Sequence, residues 1–344
     1  MKIAHVVWGM KTGGVETMLV NIINEQVKKE EVRLFIINDF IDEFIVKKIS
    51  PLCKVQRLNR KPGDKNLLKI VKLNCWICNY CPDIIHVHSY RVSKLIFGRW
   101  KIVRTIHGMD NIPQEYGRMK ALFSISNTVA EFTKLQGYNS IVIPNGIDVR
   151  KIKTKGSKAF NDNQIHVVQV SRLYIKEKGQ DLLLKALHRV VYDFDINGIR
   201  LHLIGEGESA SLLKKMVTDL QLDDFVIFEG LKSQDYIYHH LCDYDLFVQP
   251  SRQEGFGLTV AEALAAKLPV LVSDIEGPME IIGYGKFGMH FKSEDVDDLT
   301  EKLRIVLQGG YDYSLVEKAY QHVCEEYDVA NTARKYLEEY RMLI

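Results

Sequence analysis

Two α/β domains, each built on a parallel sheet, are what this sequence predicts, and three observations lead there. Short apolar runs alternate with stretches of helical period from the first residues onward, which is the βαβ grammar of a parallel sheet. The alternation stops at a polar, apolar-poor segment, Lys151 to Asn163, and starts again at Ile165. The 344 residues, 46% of them apolar, exceed what one compact core holds and suit two domains, 1–150 and 163–326.

The first series opens with a strand from Ile3 to Trp8, turns at Gly13-Gly14, and continues with a helix Val15 to Lys28 and a strand Val32 to Ile37. A helix over Asn66 to Tyr80 leads into Ile84-Ile-His-Val-His88. Lys101 to Ile106, Leu122 to Ser126 and Ile141 to Ile143 follow as strands, and Pro144-Asn-Gly-Ile-Asp148 supplies turn chemistry. The second series runs through Ile165 to Val170, a helix Gln180 to Val191, and the strands Arg200 to Ile204, Val226 to Phe228, Tyr244 to Val248 and Val270 to Ser273. A helical period over Tyr327 to Tyr340 closes the chain. Parallel sheets gather ligands at the carboxyl ends of their strands, so the loops after these runs are where chemistry is sought.

The net charge of +2 hides an asymmetry: residues 1–150 hold 23 Lys and Arg against 13 Asp and Glu, a net +10, and the remainder is −8. A basic first half suits an anionic lipid face, a phosphorylated acceptor or nucleic acid, and equally attraction between the halves. No apolar run approaches the ~20 residues of a membrane-spanning helix, and Met1-Lys-Ile-Ala-His-Val reads as a buried strand, so a cytoplasmic protein is expected. Cys75, Cys78 and Cys81 evoke metal ligation by their spacing. Without a local fourth ligand they read instead as small thiols packed from a helix, and disulfides are not expected in a reducing cytosol.

The densest chemistry lies in Gln249 to Glu262. Gly255 and Gly257 let the backbone turn sharply toward a ligand, and the first N–H groups of the helix beyond them attract phosphate. Glu254 and Glu262 flank that end, although Thr259-Val-Ala-Glu262 fits a capping box equally well. Arg172 and Lys178 place cations after the strand ending at Val170, which leaves Glu254 free to meet neutral hydroxyls. Gly205-Glu-Gly207 with Ala210 matches the dinucleotide fingerprint, yet Glu206 and Glu208 would repel a pyrophosphate. Gly13-Gly14 either faces a phosphate or permits a tight turn. His107 stands at a strand end where imidazole could donate to a substrate oxygen, and His86 with His88 suits packing better than a metal.

Together these residues resemble the retaining, nucleotide-sugar-dependent glycosyltransferases of family 4. The resemblance rests on Glu254 and Glu262 with seven residues between them, on Gly13-Gly14-Val-Glu16, Asp83-Ile-Ile-His-Val-His88 and Pro144-Asn-Gly-Ile-Asp148, and on Ser171-Arg-Leu173, Lys178-Gly179 and Gly205-Glu-Gly207-Glu208. It covers nearly the whole chain and implies the GT-B architecture, two facing Rossmann-like domains with an interdomain cleft. In that family pattern the first domain serves the acceptor, the second binds the donor, and the last helix, about 327–344, packs back on the first.

The resemblance also implies roles. Arg172 and Lys178 would hold the diphosphate and neutralise the leaving charge without a metal. Glu254, with Gly255, Phe256, Gly257 and Leu258, would hold the transferred sugar and distal phosphate. Glu262 would meet the ribose, Gly230 and Leu231 the base, Gly205 the donor, His107 the donor sugar and Gly14 the phosphate and acceptor. Two departures stand out: the Arg-to-Lys spacing is one longer than usual, which lets Lys176 compete with Lys178, and Ser171 replaces a frequent Gly.

The implied reaction moves a hexose-type sugar from a UDP- or GDP-sugar to a glycan or lipid-linked saccharide hydroxyl with retention, in capsule, exopolysaccharide or related assembly. Peripheral contact with the cytoplasmic membrane face is a further expectation; a nucleic-acid partner and a cofactor beyond the nucleotide sugar are not. The alternatives are a GT-B epimerase or phosphorylase-like enzyme, an NAD-dependent oxidoreductase built on the Gly205 fingerprint, and a non-catalytic binding protein.

Overall fold

A computed structural model describes residues 1–11, 13–61, 63–64, 66–109, 118–156 and 163–344. The chain divides into two compact units, Met1–Asp148 with Tyr327–Ile344, and Val149–Glu326.

The first unit is a seven-stranded parallel sheet of order β3-β2-β1-β4-β5-β6-β7. Its strands are β1 (Lys2–Val7), β2 (Glu31–Asn38), β3 (Lys54–Arg60), β4 (Ile84–Val87), β5 (Ile102–Ile106), β6 (Met119–Ser124) and β7 (Ile141–Val142). Beyond Lys2, β1 is buried throughout, because helices cover both faces of the sheet. On one face Ile3 and Val7 pack with Met18, Ile22 and Ile23 of helix Gly14–Gln26 and with Tyr336 and Tyr340 of helix Val329–Leu343. On the other, Ala4 and Val6 meet Leu73, Ile77 and Tyr80 of helix Leu67–Tyr80. Each of the Ile, Val, Leu and Met side chains among these contributes about 1.5–3 kcal/mol on burial. The last helix enters this unit through a bridge in which Ile147 N donates to Tyr327 O at 2.8 Å and Val329 N donates to Ile147 O at 2.9 Å.

The second unit repeats the plan with six parallel strands in the order β10-β9-β8-β11-β12-β13. These are β8 (Ile165–Val170), β9 (Ile199–Ile204), β10 (Val226–Gly230), β11 (Leu246–Gln249), β12 (Val270–Ser273) and β13 (Met289–Phe291). Val167, Leu201 and Leu203 pack with Leu183, Leu187 and Val190 of helix Gln180–Tyr192 and with Leu299 and Leu303 of helix Val296–Leu307. In both units the strand order reverses once, between β1 and β4 and between β8 and β11. Parallel α/β sheets bind ligands at such points.

Three expectations are corrected here. β3 and β13 are edge strands with little or no apolar run, so nothing in their sequence announces them. The stretch Lys151 to Asn163 does not begin as a free linker: Lys153 N and Lys155 N donate to Tyr238 O and Ala266 O at 2.8 Å, and the Lys155 ammonium lies 3.1 Å from Asp245. Residues 157–162 of that stretch fall outside the described ones. Finally, Cys75, Cys78 and Cys81 are exposed free thiols rather than packed ones, because the buried stripe of their helix passes through Leu73, Ile77 and Tyr80.

Candidate active site

The loops that leave β8 and β11 meet at the switch point of the second unit. The short helix Ile175–Lys178 ends at Gly179, which is left-handed with φ 62°, and a Cβ there would lie 1.9 Å from Pro250 O. Only glycine allows that approach. It brings Lys178 Nζ to 2.8 Å from Glu254 Oε2, with both side chains largely shielded from solvent. Gln249 Nε2 donates to the same carboxylate oxygen at 3.1 Å and to Ser251 Oγ at 3.0 Å. Arg252 clamps the two loops: it donates to Asp181 through two bonds of 2.7 and 2.9 Å and to Ile175 O at 2.7 Å, while its amide donates to Glu177 O at 2.7 Å.

Glu254 thus accepts from both Lys178 and Gln249, pairings that its sequence position does not announce; a cation and a carboxylate this close, shielded from solvent, attract strongly. Lys178, not Lys176, is turned toward Glu254; Lys176 is exposed. Arg172 is also exposed, 2.9 Å from Glu177 Oε2 and stacked 5.2 Å from the Tyr174 ring centre.

Helix Leu258–Ala265 starts from Gly257 as its N-cap, so Thr259 lies two residues too far in for a capping box with Glu262. Thr259 Oγ1 instead donates to Gln249 Oε1 at 3.3 Å. Glu262 is buried and accepts from Gln234 Nε2 at 2.5 Å; burial pushes its carboxyl up to about 8 against the opposing pull of that bond. Phe256 is buried, Gly230 O accepts from Gly205 N at 2.9 Å, and Leu231 is exposed. A Cβ on Gly205 would lie 2.0 Å from Ser171 O, and one on Gly207 2.3 Å from Leu173 O. The two glycines of the apparent dinucleotide fingerprint thus seat the Ser171–Leu173 turn against the end of β9.

In the first unit Gly14 begins its helix directly after Gly13, and Thr12 lies outside the described residues. His107 follows β5; burial, seconded by the Arg104 charge, lowers its pKa to about 4. Its Nε2 lies 3.0 Å from His88 Nδ1, and His88 Nε2 lies 3.4 Å from His5 Nδ1. Ring nitrogens of His5, His86 and His88 lie within 4.8 Å of one another, the geometry of a possible metal group. Both nitrogens of His86 are already engaged, with Tyr340 OH at 2.5 Å and Thr105 Oγ1 at 2.8 Å, which ties the last helix to the sheet as the packing reading expects.

Sequence reasoning missed Gln249, Arg252 and Gln234. A polar residue closing a buried strand, as Gln249 does at the end of Leu-Phe-Val-Gln, is the signal that would have found the first.

The two Rossmann-like units define the GT-B class of fold. Residues 150–322 match the family described as Glycosyl transferases group 1, and residues 12–151 match Glycosyltransferase Family 4. The chain belongs to this glycosyltransferase family. It is 27% identical over 316 residues to the O-antigen biosynthesis glycosyltransferase WclY of Escherichia coli, covering 82% of each chain. It is 23% identical over 381 positions to the N-acetylgalactosamine-N,N'-diacetylbacillosaminyl-diphospho-undecaprenol 4-alpha-N-acetylgalactosaminyltransferase of Campylobacter jejuni, covering 98% and 99%. Of three further curated relatives the chain spans 47%, 36% and 48% of the length. The solved structure of Anabaena Alr3699/HepE in complex with UDP superposes with a TM-score of 0.81 at 18% identity, covering 98% of this chain and 99% of that one.

Proposed function

We propose that the chain transfers a hexose-type sugar from a UDP- or GDP-sugar to a hydroxyl of a glycan or lipid-linked saccharide, with retention and without a metal. The observation that carries this reading is the Lys178–Glu254 pair at the switch point; Arg172 is exposed on the loop after β8, and Glu262 is buried in the helix that follows Gly257. UDP is the ligand of the HepE complex, and O-antigen and diphospho-undecaprenol saccharides are named for the two relatives, which favours a glycan acceptor.

In this reading the donor diphosphate takes Lys178 from Glu254 and Arg172 from Glu177. Glu254 then meets sugar hydroxyls, the amides at Gly255 to Leu258 meet the distal phosphate, and Glu262 meets the ribose beside Gly230 and Leu231. His107 and Gly14 act from the first unit on sugar and acceptor. The bond from the anomeric carbon to the diphosphate breaks as the acceptor oxygen bonds to that carbon on the same face, and the acceptor proton passes to the leaving phosphate oxygen. The two cations bear the developing charge. Calorimetry against UDP, GDP and their sugars, then proton NMR of the product's anomeric centre, tests the proposal. No binding to any nucleoside diphosphate, or an inverted product, defeats it; a trapped glycosyl-enzyme defeats the same-face step.

Contact with an anionic membrane face is part of the same reading. Residues 1–150 carry +10, and helix Leu67–Tyr80 leaves Leu67, Leu68 and Val71 exposed near Lys72. No helix among the described residues is long and apolar enough to cross a membrane. Flotation with vesicles containing phosphatidylglycerol, weakened by salt and by Leu68→Ser, is the expected result; binding indifferent to lipid charge and salt rejects it.

A further inference from the structure

A file of hydrogen-bonded imidazoles runs from helix Gly14–Gln26 to the end of β5. Gln26 Oε1 lies 2.8 Å from His5 Nε2, His5 Nδ1 lies 3.4 Å from His88 Nε2, and His88 Nδ1 lies 3.0 Å from His107 Nε2. The rings of His5 and His88, and of His88 and His107, stack at 5.7 and 5.3 Å. A neutral imidazole has one donor nitrogen and one acceptor nitrogen, so each bond dictates the next. Gln26 turns a carbonyl oxygen to His5, which requires the proton on His5 Nε2 and leaves Nδ1 a lone pair. His88 must then donate from Nε2 and accept at Nδ1, and His107 must donate from Nε2. Burial keeps the file neutral by lowering the pKa of all three rings, to about 4 for His5 and His107. At its far end His107 Nδ1 is shielded from water and has no hydrogen-bond partner among the described residues.

We infer that Gln26, His5 and His88 are positioning residues that lock His107 in the Nε2–H tautomer and so present its Nδ1 as an acceptor. A shielded lone pair without a donor is an incomplete site, and the group that completes it must itself donate. Resting on the transferase reading, that group is a hydroxyl of the transferred sugar. The sequence reading, which had the imidazole donating to a substrate oxygen, is thereby reversed: the file spends the donor on His88.

The test is long-range nitrogen–proton NMR on the full chain labelled at histidine, with and without UDP and UDP-sugars. The expected result is a pure Nε2–H pattern for His107 and an upfield move of its Nδ1 when a bound sugar nucleotide, but not UDP alone, is present. Gln26→Met, which removes the terminal acceptor at similar volume, should mix the His107 tautomers and raise KM for the sugar nucleotide several-fold with kcat within about twofold. Gln26→Glu, which keeps an acceptor, should restore the wild-type pattern. Protonated Nδ1 in the wild type, or an unchanged tautomer in Gln26→Met, overturns the inference. An intact Nε2–H pattern in a chain that binds no sugar nucleotide supports the tautomer lock and counts against the transferase reading instead.

Discussion

Lys178 Nζ and Glu254 Oε2, 76 residues apart in sequence, lie 2.8 Å apart where the loops of β8 and β11 meet. The pair joins a group suited to phosphate with a group suited to hydroxyls. In the proposed reading a donor diphosphate would therefore exchange partners with Glu254 on binding Lys178. Glu254→Gln should free Lys178 and tighten binding of UDP alone by about three- to tenfold, while turnover falls at least tenfold because the sugar loses its carboxylate. Lys178→Ala and Arg172→Ala should each weaken UDP by about tenfold or more, since a hydrogen bond to a charged group contributes roughly 1.5–3 kcal/mol. Calorimetry decides, and unchanged affinity in both cation variants would remove the diphosphate assignment.

Glu262 makes the second unit more stable in mild acid. Its folded pKa of about 8 lies above the unfolded carboxylate value of 4.5, so the folded chain binds the extra proton. That stabilising contribution is whole below pH 4.5 and is lost as pH rises toward 8, by an amount on the order of 3–5 kcal/mol. Glu262→Gln should flatten this slope and make the variant the more stable protein at pH 8. Calorimetric unfolding at pH 5.5 and 8 measures it; an unaltered slope shows that Glu262 is ionised in the folded chain.

The first unit should respond in the opposite direction. His5 and His107 are held near 4 against an ordinary 6.5 by burial, and His86 and His88 lie well below it for the same reason. Here the unfolded chain binds more protons, so stability is present above pH 6.5 and is lost as pH falls toward 4, on the order of 3 kcal/mol for His5 alone. All three tryptophans, Trp8, Trp76 and Trp100, lie in this unit, so their fluorescence follows its unfolding separately. Between pH 7.5 and 5 the fluorescence midpoint should drop, and His5→Gln should shrink the drop. A midpoint that stays level would mean that the buried rings are charged.

The two-unit plan was legible because parallel strands buried on both faces must be written as apolar runs, and β8 and β12 were placed to the residue. Edge strands escape that rule, which is why β3, with Lys, Gln, Arg and Asn among its residues, left no trace. In the site, residue types could be read but pairings could not. Lys178 and Glu254 were both visible, yet only the close approach of Gly179 to Pro250 shows that they touch. The capping box failed on register alone, by two residues. The order of the histidine file depends on β1, β4 and β5 lying side by side, which no local spacing records.

Gly179, in the segment after β8, and Gly205, directly after β9, separate geometry from charge at the loop that carries Arg172 and Lys178. At Gly179 a methyl group would meet Pro250 O at 1.9 Å in a left-handed backbone, and at Gly205, φ 138°, it would meet Ser171 O at 2.0 Å. Both alanine variants must shift backbone rather than a flexible side chain, so each should cost the second unit about 2–4 kcal/mol, the upper range of single substitutions. Their effects on ligand should differ. Gly179→Ala pushes Lys178 away from Glu254 and should weaken UDP tenfold or more at temperatures where the unit is still folded. Gly205→Ala displaces the Ser171–Arg172 turn and leaves Lys178 beside Glu254, so UDP should weaken by less, about threefold. Calorimetric titration and unfolding of the two variants side by side measure both quantities, and equal losses of UDP affinity would show that the Gly179 approach is not what places the lysine.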